Sequence, residues 1–289
     1  MNETQPIYLS PAFSNRTDEE LRFLSTINGA TGFSLFWIDI VKPLLCELNA
    51  KHLLEIGAET GEHTWLLLQY CDSYDANLTI IEPVVTPSLQ EVVNNSARTF
   101  LYAEKSLEAL PRVNVPIDVV MLEGDLNYYS VRGDLLGIDE LSHRQNIPFP
   151  LVLVRSMSWP YARRDMYYDP GNLPKDTMHD HEKSGMTPWT SQLKEMMINY
   201  PFENAKHEGE PKNGVWTAVE DFIAGSNLPL KFFLLPSNNG LGVIYLENSK
   251  AEQFINQNLV IPEKIRLFLE TYEIVRRQQG KLQKRQTQE

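Results

Sequence analysis

Residues 51–61, KHLLEIGAETG, are an apolar run that closes on Glu55 and breaks into a loop carrying Gly57 and Gly61. The run is short and apolar on both faces, the pattern of a strand at the centre of a parallel sheet covered by helices on each side. The two glycines suit a turn where the backbone bends sharply and comes close to a ligand, with a helix starting beyond. A second strand, LTIIE at 78–82, ends in Glu82. Its distance from the loop, about 20 residues, is the spacing at which a carboxylate can accept the hydroxyls of a ribose. Together these stretches predict a nucleoside site, with contacts from Glu55, Gly57, Ala58, Gly61 and Glu82.

A dinucleotide loop normally carries three glycines and aims a helix N-terminus at a pyrophosphate. This loop reads G-A-E-T-G, with Glu59 inside it. A carboxylate there opposes a pyrophosphate and tolerates a cation, so a cofactor with an ammonium and a sulfonium, S-adenosylmethionine, is favoured over NAD.

The 289 residues suffice for one α/β core with an insertion, and 42% hydrophobic with 22% charged residues is an ordinary globular composition. A net charge of −12 argues against a surface that neutralises nucleic-acid phosphates. Cys46 and Cys71 are too few for a disulfide framework or a zinc site, which fits a reducing, cytoplasmic setting. MNETQPIYLS lacks a signal-peptide pattern, and Asp39 and Lys42 interrupt the best apolar stretch, so neither secretion nor a membrane span is expected.

Taken in order, residues 1–50 read as an N-terminal helical cap, with a helix opening at Thr17 and a second over 33–48 that Pro43 kinks or bounds. Phe33, Phe36 and Trp37 read as core. Residues 51–250 form the main domain. A third strand and a helix start lie in 98–110, where Glu104 or Ser106 stands at the adenine position. A fourth strand, IDVVMLEGD at 117–125, ends in Glu123 and Asp125, two apart and therefore on one face if extended, directed at the cleft. PLVLVR at 150–155 is the fifth strand. Residues 156–216 have no continuous apolar period and read as a substrate cap inserted in the domain. A helix at 214–224 follows, then strands 230–236 and 241–247 joined through Asn239-Gly240, a hairpin signal. Residues 251–289 are a helix and polar tail, an element for docking or for homo-oligomer formation. The sum is an α/β, Rossmann-like sheet of seven strands with one antiparallel.

That pattern, with FLSTINGATGFSLFWIDI at 23–40, LLEIGAETG at 53–61, IIEP at 80–83, EGDLNYYSVRGDL at 123–135, WPYARRDMYYDP at 159–170 and NGVWTAVEDFI at 213–223, resembles bacterial class I S-adenosylmethionine-dependent methyltransferases of the carbohydrate and natural-product O-methyltransferase type. The resemblance covers nearly the whole chain. It implies cofactor contacts at Glu55, Gly57, Gly61 and Glu82 and a substrate-facing carboxylate at Asp125; Glu123, at the end of the fourth strand, is expected beside the cofactor on its position. The chain departs from the pattern at Arg155-Ser156, where a His-Asp pair able to help hold a divalent metal is expected, so a metal is not favoured.

Methyl transfer from a sulfonium depends on positioning, and an alcohol acceptor benefits from a general base. Candidate bases are Asp125, His143, Asp165, His179 and His181, of which Asp125, Asp165 and His181 are carried forward. Tyr161, Arg163, Arg164 and Tyr168 could grip a sugar or a carboxylated acceptor, while an internal salt bridge pinning the cap is the equal alternative. The expected function is O-methylation of a sugar or glycosylated metabolite. The alternative is a non-catalytic binding or scaffold module of the same fold.

Overall fold

A computed structural model of the protein describes residues 16–18, 20–22 and 32–286, with side chains as far as residue 279. Residues 23–31 of the quoted stretch 23–40, and residues 1–15 of the expected N-terminal cap, lie outside the described residues. Seven strands form the central sheet: β1 (His52–Ile56), β2 (Asn77–Ile81), β3 (Thr99–Tyr102), β4 (Val119–Leu122), β5 (Leu151–Arg155), β6 (Leu230–Leu235) and β7 (Leu241–Leu246). Their order is β6-β7-β5-β4-β1-β2-β3, and β7 runs antiparallel to both neighbours. This is the Rossmann-like sheet of seven strands, one of them antiparallel, that the sequence predicts.

The side chains of β1 alternate between two cores. Leu53 joins Leu78 and Met121 on one face, while Leu54 and Ile56 join Val120 and Leu122 on the other. The first face is covered by helices α1 (Lys42–Leu48), α2 (Glu62–Tyr74), α3 (Pro87–Asn94) and, later in the chain, α6 (Lys250–Asn258). The second is covered by α4 (Tyr128–Gln145) and α5 (Val215–Gly225). Burial on both faces explains why these strands read as continuous apolar runs. The chain leaves β1 toward β2 on one side and returns to β4 on the other. The crevice outside the carboxyl ends of β1 and β4 is therefore the switch point at which such sheets place ligands.

The expected helix over 33–48 is three pieces: a 3₁₀ turn at Gly32–Phe36, a π turn at Trp37–Val41 and then α1. Pro43 falls in the first turn of α1, at the boundary where the π turn gives way to the α-helix, as the expected kink or boundary. Phe33, Phe36 and Trp37 are buried as expected. The 156–216 insertion is more regular than its sequence. It holds a three-stranded sheet of Met166–Tyr167, Glu203–Ala205 and His181–Lys183, and a pairing of Gly185–Met186 with Leu193–Lys194. Strands of two or three residues are too short to show a period. The last described element is helix α7 (Glu263–Gln286). Among the described residues no helix is long and apolar enough to cross a membrane.

Candidate functional site

The loop after β1 is shaped by backbone that side chains resist. Gly57 and Gly61 have φ of 86° and 85°, and Glu59 follows them into the left-handed region at 46°. A Cβ on Gly57 would collide with the carbonyl of Glu123, so the loop and the end of β4 touch through bare backbone. One carboxylate holds this loop. Glu82, at the end of β2, accepts the N–H groups of Ala58 and Glu59 on one oxygen, both at 3.0 Å, and that of Val84 on the other at 2.9 Å. Its side chain is turned to the loop amides, and it does not line the cleft. The sequence spacing that suggests a ribose contact thus places Glu82 correctly beside the loop, and the structure shows what it grips there.

Glu55 is likewise turned inward. It accepts a hydrogen bond from the Thr64 hydroxyl at 2.6 Å and pairs with His63 Nδ1 at 3.0 Å, both from the first turn of α2. His63 is flanked by the rings of Phe33 and Trp37 at 4.9 and 5.9 Å, and its Nε2 is buried without a hydrogen-bond partner among the described residues. His63 is among the residues that line the cleft, a site residue that the sequence reading does not single out. The signal was its place two residues after Gly61, in the turn that follows the glycine loop.

The cleft above these groups has a volume of about 250 Å³. Gly57, Ala58, Glu59, Glu62, His63 and Glu123 line it from the glycine loop, the start of α2 and the end of β4. Tyr161, Met166, Tyr168, Asn199, Phe202 and Asn239 line it from the insertion and from the turn before β7. Three carboxylates line it, and no Lys or Arg does among the described residues. Burial raises the Glu59 carboxyl from its ordinary value, and the nearby Glu82 and Glu62 charges add to the rise. Burial also raises Glu123, opposed chiefly by Arg155 and then by His63.

Arg155, the departure noted in the sequence, is fully buried behind the cleft. Its Nε lies 3.4 Å from the Glu123 carboxylate, and its terminal nitrogens donate to the carbonyls of Gly240 and Asn238 at 2.9 and 2.7 Å. The guanidinium also packs over the Phe36 ring at 4.9 Å. A fixed cation therefore stands against Glu123 where the resemblance leads one to expect metal-holding groups. Among the described residues no group of three or more His, Cys, Asp or Glu side chains is placed to hold a metal ion.

The remaining sequence candidates fall elsewhere. β4 ends at Leu122, so Glu123 and Asp125 both lie beyond the extended strand; Glu123 is among the residues lining the cleft, and Asp125 accepts a hydrogen bond from Ser130 at 2.9 Å. Asp165 is buried as a staple. It accepts the N–H groups of Tyr128 and Gly214, both at 2.7 Å, and the Tyr167 hydroxyl at 3.0 Å, so it joins α4, α5 and the insertion rather than facing a substrate. His181 pairs with Glu203 at 3.0 Å in the insertion sheet, and His179 bonds the Lys212 carbonyl at 3.0 Å. Both border a separate depression with Lys175 and Lys206. His143 is exposed on α4. Glu104 pairs with Arg112, and Ser106 with the buried Asp134. Gly61 packs α2 against Leu89 of α3. Arg163 pairs with Glu220 and covers the Trp216 ring at 5.3 Å, while Arg164 is buried and donates to the carbonyls of Ala205, Lys206 and Ser191. These two arginines pin the insertion, the second of the alternatives that the sequence leaves open. Of the acceptor-binding set, Tyr161 and Tyr168 reach the cleft.

No protein-family model and no curated protein matches the chain. Among solved structures, a Staphylococcus aureus protein provisionally described as a caffeoyl-CoA O-methyltransferase is 14% identical over 81% of this chain and 93% of its own, with a TM-score of 0.46. An O-methyltransferase from Bacillus cereus in complex with S-adenosylhomocysteine is 12% identical over 82% and 94%, with a TM-score of 0.45. An S-adenosylhomocysteine-bound methyltransferase from Podospora anserina is 13% identical over 81% and 89%, with a TM-score of 0.42. Likeness at this level says nothing of what this chain binds or transforms.

Proposed function

We propose that the cleft binds S-adenosylmethionine and that the chain is an O-methyltransferase acting on a hydroxyl of a sugar or glycosylated metabolite. One observation carries the cofactor reading. A crevice at the sheet's switch point, with the backbone of a glycine loop for its floor, is lined by Glu59, Glu62 and Glu123 and by no Lys or Arg among the described residues. That charge pattern repels a pyrophosphate and suits a ligand bearing an ammonium and a sulfonium. The cofactor supplies an electrophilic methyl group. The chain's own residues supply the shape and the field: Glu82 holds the loop, Arg155 holds Glu123, and the carboxylates meet positive charge without rearranging.

The acceptor reading is supported by Tyr161, Tyr168 and Phe202 beside Asn199 and Asn239, aromatic faces and amides that together match the apolar and hydroxyl faces of a sugar. The same proposal takes residues 1–50 as a helical cap, 51–250 as the catalytic domain and 251–289 as an appended helix, in a cytoplasmic protein with a small-molecule partner. Helix α7 leaves Ile265, Phe268 and Tyr272 exposed, which supports self-association through it. Sedimentation of a Phe268→Glu variant tests that point, and an unchanged oligomeric state would remove it.

The test of the main reading is calorimetric titration of S-adenosylmethionine and S-adenosylhomocysteine, with and without Mg²⁺, followed by a screen of saccharide acceptors for methyl transfer. Micromolar binding with turnover on a hydroxyl supports it. Binding without turnover on any acceptor favours the non-catalytic module, and absence of binding defeats the cofactor assignment.

A further inference from the structure

We infer that the acceptor is cationic: a sugar or glycosylated metabolite with a protonated amino group, seated against the rings of Tyr168 and Phe202 and drawn by the carboxylates of Glu59 and Glu62. This rests on the methyltransferase reading above and names the acceptor class within it. Glu59 and Glu62 line the cleft and are exposed, and neither side chain has a hydrogen bond or an ion pair among the described residues. Glu123 differs, since the Arg155 Nε lies 3.4 Å from it. In water, exposed carboxylates need no partner. A ligand seated over them displaces that water, and the same charges then favour a cation and oppose an anion. S-adenosylmethionine carries one net positive charge, so with Glu123 paired it leaves one of the two remaining carboxylates unmet. An ammonium on the acceptor meets it.

The aromatic residues of the cleft suit the same group. Tyr168 and Phe202 are 51% and 41% exposed, so a ligand can reach them. Their rings meet edge to face, with centroids 5.8 Å apart and planes at 81°. Both come from the insertion and line the cleft together with the two carboxylates. The Tyr168 hydroxyl has no hydrogen-bond partner among the described residues. Partial burial raises its pKa, and the Glu59 carboxylate is the first charge to add to the rise, with Glu123 contributing further, so this phenol shares the field of the glycine-loop side. An aromatic face attracts a cation through its quadrupole, more strongly where water is displaced. A neutral sugar gains only the stacking here, whereas an amino sugar gains the charge attraction as well. The opposite sign is disfavoured by the same residues. Arg163 is engaged by Glu220 and Arg164 by three carbonyls, and no described Lys or Arg lines the cleft to meet a phosphate or a uronate. The ammonium is a handle for binding and takes no part in bond making.

The test uses the complex with S-adenosylhomocysteine, in which the cofactor's place is filled and the acceptor's is open. Three probes of similar size, 2-aminoethanol, ethane-1,2-diol and glycolate, are titrated into it at low salt and neutral pH while NMR follows the ring signals of Tyr168 and Phe202. Both rings should respond to 2-aminoethanol with a roughly millimolar Kd, to the diol at least about tenfold more weakly, and to glycolate not at all. Glu62→Gln and Phe202→Leu, checked for an unchanged melting midpoint, should each weaken 2-aminoethanol by about threefold and leave the diol as it was. The comparison of the three probes on the parent stands without the variants. Equal affinity for the amine and the diol would overturn the proposal. So would a response to 2-aminoethanol confined to residues outside the cleft, or none in the millimolar range. If S-adenosylhomocysteine itself does not bind, the methyltransferase reading fails, an outcome separate from a complex that forms and shows no preference for the amine.

Discussion

At Glu82 a single side chain answers three backbone N–H groups, two of them in the loop that floors the cleft. Hydrogen bonds to a charged acceptor each contribute about 1.5–3 kcal/mol, and their loss leaves donors unpaired. Glu82→Ala should therefore lower stability by about 2–4 kcal/mol in urea unfolding and cut S-adenosylmethionine affinity by about tenfold or more. Unchanged affinity would show that the loop keeps its shape without the clamp. Gly57→Ala should be as harmful for a different reason, since φ of 86° disfavours any Cβ and the Glu123 carbonyl occupies the space it needs. Behind the cleft, Arg155→Met strands the Glu123 carboxylate and two carbonyls. Breaking one side of such a buried pair costs about 3–5 kcal/mol, to be read in the same unfolding assay.

Among the elements, α4 carries a group whose ionisation opposes its packing. Asp134 lies on the buried face of α4 opposite the turn that begins at Ser106, and one of its oxygens has no hydrogen-bond partner among the described residues. Burial pushes its carboxyl up to about 7, with Ser106 pulling the other way. The folded state thus holds a proton that the unfolded chain sheds near pH 3.8, the ordinary value. This contribution to stability is full below that pH and is lost as pH rises through about 7. Relative to Asp134→Asn, the parent should lose on the order of 1 kcal/mol per pH unit across that window. Parallel curves for the two proteins in urea titrations at successive pH values would show that Asp134 does not titrate there. The insertion is held in a comparable way by buried polar groups, with Asp165 stapling the starts of α4 and α5 and Arg164 capping three carbonyls.

For the whole molecule, charge is the property that reaches furthest. The chain carries −12 and the cleft repeats that sign with three carboxylates. S-adenosylmethionine is a net cation and S-adenosylhomocysteine is not. Raising salt should therefore weaken the first more than the second, and equal salt dependence in calorimetry would remove the electrostatic part of the proposal. The sheet was legible because strands buried on both faces must be apolar throughout, and because Gly57 and Asn239-Gly240 answer local backbone demands. Glu82 was legible as a member of the loop region for the same reason, its distance along the chain. What Glu82 grips, that Asp165 is a staple, that Arg155 backs Glu123 and that His63 stands over Glu55 were all decided by tertiary structure. A side chain's role depends on which neighbours, often dozens of residues away, complete its hydrogen bonds and remove its water. Periodicity encodes burial, but it holds no record of those partners.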